Sequence, residues 1–258
     1  MHASQLFDLS DEVALVTGAS SGLGERFAEV LAAHGASVVV AARRADRLAS
    51  LVERISDAGG KACVVELDVS DQSAIAGAFD AAEAAFGTVT ILVNNAGVAG
   101  NKAVFEVTPE DWRKVMSVNL DGVWFAAQEA ARRMKDAGRQ GNIINIASVL
   151  SFRAARTVAA YAASKGAVLQ LTRNLALEFA RYDVRVNAIA PGYILTEINK
   201  DYFESDDSAP MIKRIPQRRI GDVSDLDGTL LLLASNKASG YMTGSTVVVD
   251  GGHLLPVD

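Results

Sequence analysis

The sequence predicts a doubly wound α/β domain: a seven-stranded parallel sheet, Rossmann-like, with helices on both faces. Three observations carry that expectation. Seven short β-branched runs recur along the 258 residues, longer helical stretches separate them, and no Pro/Gly/Ser-rich linker divides the chain. Most of the runs are apolar throughout rather than alternating, which suits strands covered on both sides. Strand–helix alternation sustained over residues 1–258 implies a single domain with right-handed crossovers.

The elements follow in order. "EVALVT" (Glu12–Thr17) is the first strand, and a glycine-rich turn leads from it into a helix. "SVVVA" (Ser37–Ala41) and "CVVEL" (Cys63–Leu67) are the second and third. Asp68 and Ser70 then serve as turn or cap residues for a helix that repeats Ile75, Phe79, Ala82 and Phe86 on one side. "ILV" (Ile91–Val93) is the fourth strand. "TPEDW" starts a helix, with Thr108 as N-cap, Pro109 at the first position and Asp111 at the third. "NIINI" (Asn142–Ile146), "VRVNAI" (Val184–Ile189) and "TVVV" (Thr246–Val249) complete the set. Residues 192–216 are polar and mixed and contain Pro210 and Pro216; they read as an insertion over the sheet edge, the kind of loop that carries function.

Composition excludes several classes. Lys plus Arg is 25 and Asp plus Glu is 31, a formal charge of −6, and no basic block is long enough to follow a phosphate backbone, so no nucleic-acid partner is expected. Runs such as Leu230–Ala234 are too short to span a bilayer, and "MHASQLFDLSDE" lacks the basic-then-apolar pattern of a signal peptide. The lone Cys63 forbids an intrachain disulfide, and three scattered histidines argue against a metal site. The expectation is a cytoplasmic protein without a membrane partner.

Chemistry enters at "VTGASSGLGERF". Gly18, Gly22 and Gly24 follow the first strand and open a helix, where glycines let the backbone approach a pyrophosphate and free N–H groups favour the anion. The spacing differs from G-x-G-x-x-G, but its place between strand and helix predicts a nucleotide site, with Ser20, Ser21 and Leu23 in the same loop. At the end of the second strand, an NAD site would carry an acid for the ribose 2′-hydroxyl. Ala42 stands there instead, followed by Arg43 and Arg44, whose guanidinium groups suit a 2′-phosphate. NADP(H) is therefore expected over NAD(H). Asp68, with Val69 beside it, is placed to reach the adenine or to cap the next helix.

In "YAASK", Tyr161 and Lys165 stand four apart on one helical face. A tyrosine ordinarily titrates near 10, and a neighbouring ammonium favours the phenolate. A shift of about three units, roughly 4 kcal/mol, would make Tyr161 a usable acid or base at neutral pH. Ser148, just past the fifth strand, lies where ligands of open α/β sheets bind. Asn119, inside a helix, is locally unfavourable and suggests a purpose.

Jointly, "TGASSGLG", "NNAG", "YAASK" and "APGYILT", with Ser148 and Asn119 in order, resemble the short-chain dehydrogenase/reductase family in its short single-domain branch, over essentially the full chain. The resemblance implies hydride exchange between NADP(H) and a small-molecule ketone or alcohol. Tyr161 would move the proton, Ser148 would orient the carbonyl, Lys165 would bind the nicotinamide ribose and lower the Tyr161 pKa, and Asn119 would hold a relay water. Asn95, Ala96 and Gly97 would lie along the adenosine ribose, and Pro191, Gly192, Ile194 and Thr196 near the carboxamide. Leu150, Tyr193 and Tyr202, beside Ser148 and Tyr161, would line the substrate pocket. Arg153 and Arg156 are read as solvated loop arginines. A homotetramer is implied, through the helices starting near Thr108 and Ala160 and through the last strand. The chain is similar to 3-oxoacyl-[acyl-carrier-protein] reductases, but Ser21 and Leu177 replace basic residues common there. A non-catalytic NADP-binding regulator is the reading from a different class.

Overall fold

The computed structural model describes residues 3–197, 199–203 and 208–255. The side chain of Tyr202, expected in the substrate pocket, lies outside the described residues. After a short helix α1 (Ala3–Leu6), the chain alternates through β1 (Val13–Thr17), α2 (Gly22–Ala33), β2 (Ser37–Ala42), α3 (Ala45–Asp57), β3 (Lys61–Glu66), α4 (Gln72–Phe86) and β4 (Ile91–Asn94). It continues through α5 (Pro109–Met116), α6 (Gly122–Asp136), β5 (Gly141–Ile146), α7 (Ala159–Phe179) and β6 (Val184–Pro191). The last part comprises α8 (Lys200–Phe203), α9 (Ala209–Ile212), α10 (Asp227–Ala234), α11 (Asn236–Ser239) and β7 (Thr246–Val249).

All strand pairs are parallel, in the order β3-β2-β1-β4-β5-β6-β7. The order reverses between β1 and β4, which opens a crevice at their carboxyl ends. The absence of a polar face in the strands now has its explanation. Ala14, Val16, Val38, Val40, Val93 and Ile144 pack under Phe27, Leu31, Leu48, Leu51 and Leu230 of α2, α3 and α10. Their neighbours Val13, Leu15, Val39, Leu92 and Ile143 pack on the opposite side under Phe79, Ala127, Met134 and Leu175 of α4, α6 and α7. Successive side chains point to opposite faces, so a strand covered twice has no position left for water.

Local chemistry accounts for the ends. Thr108 and Asp111 form a reciprocal capping box: Asp111 N–H donates to Thr108 Oγ1 at 3.2 Å, and Thr108 N–H donates to Asp111 Oδ2 at 3.0 Å. Of the turn and cap roles open to Asp68 ahead of the helix after β3, the structure shows the turn. Asp71 is the helix cap, accepting from Ser73 N–H at 3.0 Å, while Asp68 closes the preceding turn by accepting from Ser70 N–H at 2.9 Å. Both are Asp-x-Ser motifs, and the one directly before the first helical residue, Gln72, is the cap. Residues 192–216 leave β6 beside the edge strand β7 and carry α8 and α9; an isolated bridge between Ile194 and Gly221 pins their start.

Candidate active site

The sheet brings the carboxyl ends of β1, β2, β4, β5 and β6 to one rim, and the glycine loop sits at its centre. Gly18 and Gly22 adopt positive φ (+66° and +59°), a conformation side chains rarely enter. A Cβ on Gly18 would stand 2.8 Å from the Ala96 Cα, and one on Gly24 2.4 Å from the Gly18 carbonyl oxygen. The glycines thus let loop, helix and the β4 end close together. Thr17 Oγ1 locks this junction, accepting from the N–H groups of Asn95 and Ala96, each at 3.0 Å. Asn95 Nδ2 donates back to the Thr17 carbonyl at 2.9 Å and the Gly18 carbonyl at 3.2 Å.

This cradle fits a dinucleotide pyrophosphate. α2 begins at Gly22, and its N-cap, Ser21, makes no side-chain cap hydrogen bond, so the helix start presents its N–H groups to the rim. Arg44 lies over the loop and donates from Nη2 to Ser20 Oγ at 2.8 Å and to Ser21 Oγ at 2.9 Å. Arg43 pairs loosely with Asp68 at 3.7 Å, both side chains well exposed. β2 ends in Ala42 without an acid, as expected. Val69 is buried against Gly122. On the far side, Gly192 lies so close to Asp250 that a Cβ would meet its Cα at 2.7 Å, and Gly192 N–H donates to the Val249 carbonyl at 2.8 Å at the end of β7. The turn carrying Pro191, Ile194 and Thr196 is held by Asn199, whose Oδ1 accepts from Thr196 N–H at 2.8 Å and whose Nδ2 donates to the Ile194 carbonyl at 2.9 Å. Thr196 comes within 3.3 Å of where a Gly22 Cβ would stand, so both walls of the crevice meet there.

The catalytic candidates converge beside it. Ser148 is the extended residue after β5 and accepts from Leu150 N–H at 3.1 Å. The Tyr161 phenol lies near enough for this hydroxyl to draw its titration down. Lys165 is 3% exposed; its Nζ donates to the Ile146 carbonyl at 2.6 Å and lies 5.8 Å from the Tyr161 ring centroid. Asn119 is fully buried in a π-helical turn, Ser117–Asp121, joining α5 to α6. The widened turn frees its side chain to reach away from the helix. Oδ1 accepts from Val98 N–H at 2.8 Å, and Nδ2 donates to the Val98 carbonyl at 3.0 Å and to Ser164 Oγ at 3.1 Å. π-turns of this kind are frequent at functional sites. Gly97 faces both groups: a Cβ there would stand 3.5 Å from Asn119 Oδ1 and 3.6 Å from Lys165 Nζ.

One electrostatic expectation fails. The Tyr161 phenol is not lowered by Lys165; burial pushes it up, the Ser148 hydroxyl draws it down, and Tyr193 adds an upward push. Lys165 is itself drawn down to about 8 by burial. Arg153 also departs from expectation: it is exposed, yet its Nη1 donates to the His253 carbonyl at 3.2 Å. Leu150 and Tyr193 are half-buried, and the Tyr193 ring packs edge-on against Phe203 at 6.0 Å and His253 at 5.2 Å.

Three positioning residues were not foreseen. Asn94 Nδ2 donates to Asn145 Oδ1 at 3.0 Å, and Asn145 Nδ2 to Thr172 Oγ1 at 2.9 Å. This buried chain ties β4, β5 and α7 together, and so fixes the register of Ser148 against Tyr161 and Lys165. The amides in "NNAG" and "NIINI" were the available signal: polar residues within runs covered on both faces need partners.

A glycine cradle for a pyrophosphate beside a serine, a phenol and a buried amine defines a dinucleotide-dependent oxidoreductase. Comparisons with known proteins agree. A family model described as "Enoyl-(Acyl carrier protein) reductase" (adh_short_C2) matches residues 18–253. The NADP-dependent (R)-specific alcohol dehydrogenase of Lentilactobacillus kefiri is 40% identical over 249 residues, covering 95% of this chain and 97% of that protein. Gluconate 5-dehydrogenase of Gluconobacter oxydans is 39% identical over 253 residues, covering 98% of each. A solved gluconate 5-dehydrogenase of Burkholderia cenocepacia, in complex with NADP and tartrate, superposes with a TM-score of 0.94 at 40% identity, covering 99% of this chain and 100% of that one. The chain belongs to the short-chain dehydrogenase/reductase family.

Proposed function

We propose that this protein interconverts a ketone and a secondary alcohol with NADP(H), acting on a small polyhydroxylated substrate. The carrying observation is the meeting of the Ser148 hydroxyl and the Tyr161 phenol beside the glycine cradle. Gluconate in the names of two full-length relatives supports the polyhydroxy class. Gly18, Ser20, Ser21, Gly22, Leu23 and Gly24 would hold the pyrophosphate; Arg43 and Arg44 the 2′-phosphate; Asp68 and Val69 the adenine; and Asn95, Ala96 and Gly97 its ribose. Pro191, Gly192, Ile194 and Thr196 would border the nicotinamide, which supplies the hydride when bound.

The chain's own groups handle the proton. Ser148 orients the substrate oxygen, and Tyr161 gives that oxygen a proton or takes one from it. Burial raises the phenol above its ordinary value and so opposes the phenolate. Lys165 and Asn119, meeting at Gly97, lead inward from Tyr161 to the Val98 backbone and position the ribose side of the cofactor. Leu150 and Tyr193 border the substrate, and residues 192–216 serve as its loop within one domain. On α7, Leu177 is 81% exposed where an acidic carrier protein would need a basic contact, which disfavours the carrier-bound reading.

The cofactor reading has a direct test. Arg44→Ala removes a charged donor from the 2′-phosphate position. Its kcat/KM with NADPH is expected to fall about 10–100-fold, the worth of one charge-assisted hydrogen bond, while that with NADH holds. Equal loss with both cofactors, or a wild-type preference for NADH, would overturn it.

Assembly as a homotetramer is part of the same proposal. Exposed apolar side chains gather where the family would pair its helices: Phe105 is fully exposed, and Trp112 and Trp124 are each more than a third exposed. Val248 and Tyr241 are exposed beside the last strand. Light scattering is expected to give about four times the 27.2 kDa chain mass; a monomer at micromolar concentration would refute it. No helix among the described residues is long and apolar enough to cross a membrane. The single cysteine suits a reducing compartment, and the cytoplasm is the one proposed.

A further inference from the structure

His253 is 5% exposed, and its Nδ1 is buried without a hydrogen-bond partner among the described residues. A buried polar atom left unpaired costs about 1–3 kcal/mol, so its retention calls for a reason. The chain invests in placing it. Gly251 and Gly252 turn at φ +63° and +88°, and both Asp250 oxygens are taken by backbone, Oδ1 by Gly252 N–H and Oδ2 by Leu254 N–H, each at 2.8 Å. The turn sets the His253 ring edge-on to Tyr193 at 5.2 Å, and Tyr193 is close enough to Tyr161 to raise its phenol. Arg153, on the loop after Ser148, donates to the His253 carbonyl at 3.2 Å, and both Arg153 and Arg214 press on the imidazole by like charge. Asp250, an acid whose charge acts on the ring, is already engaged by two N–H groups. Two guanidinium groups and an unpaired imidazole nitrogen thus collect behind Tyr193, in a chain whose net charge is −6.

We propose that His253 and Arg153 form an anion-recognising end of the substrate pocket, so that the substrate is a hydroxy acid, or its oxo acid, whose carboxylate is held there while its carbonyl lies at Ser148 and Tyr161. This rests on the reading of Ser148 and Tyr161 as the carbonyl site. A carboxylate accepts from the fork of an arginine and from an imidazole N–H together. A neutral substrate of the same shape would leave those donors unpaired, which is how a polar site rejects the wrong ligand.

The test pairs a 5-oxo sugar acid with its methyl ester, the neutral isostere, and follows NADPH consumption. Wild type is expected to favour the acid over the ester by at least about 10-fold in kcat/KM, expressed mostly in KM. His253→Gln and Arg153→Gln are each expected to raise the acid KM about 10-fold or more, leave kcat within about 3-fold, and leave the ester unchanged; Arg153→Lys is expected to recover part of the loss. A wild type indifferent to the ester, or variants that lose acid and ester alike, would overturn the proposal while leaving the reductase reading intact. A wild type that reduces a neutral ketone but neither test compound would also overturn it. A wild type that turns over no carbonyl at all would sink the carbonyl-site reading beneath it. Thermal melting separates a folding defect from a lost contact: His253→Gln is expected to melt within about 3 °C of wild type, because volume and one donor are kept.

Discussion

Tyr161→Phe is expected to lower kcat by about 10²–10⁴-fold, the range for loss of a positioned acid or base. The substitution deletes one oxygen and keeps the ring. That ring is half-buried on α7, with Lys165 Nζ 5.8 Å from its centroid, and the ring's packing is retained. The Ser148 hydroxyl loses the phenol oxygen beside it but keeps its bond from Leu150 N–H. NADPH affinity, read from the nucleotide's fluorescence, and the melting temperature should therefore stay near wild type. A variant with half the wild-type kcat would remove Tyr161 from the chemistry. A variant that fails to bind NADPH would instead point to a structural role.

Lys165→Met should abolish most turnover and yet stabilise the fold. The ammonium is buried and donates to the Ile146 carbonyl, and burial draws its pKa down to about 8 from 10.5. In the unfolded chain the amine stays protonated to higher pH. Between about 8 and 10.5 the unfolded state therefore binds more protons, and stability rises with pH through that window. Below it, where both states are charged, the burial penalty is fully present, about 3 kcal/mol. Methionine fills a similar volume without a charge, so the variant is expected to melt roughly 5–10 °C above wild type at pH 7. The gap should shrink toward zero by about pH 10, where wild-type Lys165 is neutral. Turnover should fall about 10²–10³-fold, as for removal of one preorganised donor. A variant less stable than wild type at pH 7 would show that the bond to Ile146 outweighs desolvation. Unchanged kcat/KM would take the amine out of the reaction.

Those two expectations show where sequence reasoning reached and where it stopped. The strands were legible because parallel strands covered twice carry few polar residues, and most of the seven runs are apolar throughout. The glycine spacing was legible because only glycine fits where a Cβ would fall within 2.8 Å of another backbone. Tyr161 and Lys165 were legible as a pair because helical periodicity alone puts them on one face. The direction of the phenol's titration was not. It is a balance between burial, a hydroxyl thirteen positions earlier in the chain and a second phenol on another loop, none of which is local.

The same division runs through the rest of the site. Asn119 announced itself as an oddity in a helix, but its purpose came from a π-turn that local propensity does not encode. Asp71 rather than Asp68 caps α4, a choice between two equivalent Asp-x-Ser motifs. His253 gave no signal at all: it sits far from Tyr193 in the chain and meets it because β7 packs beside β6 and a two-glycine turn folds back. By itself the sequence determined fold class, cofactor cradle and catalytic constellation, since each depends on spacing within one strand or one helix. Tertiary structure alone decided the charge state of the phenol and the second end of the pocket, because electrostatic energy follows distance and burial in space, and neither is written along the chain.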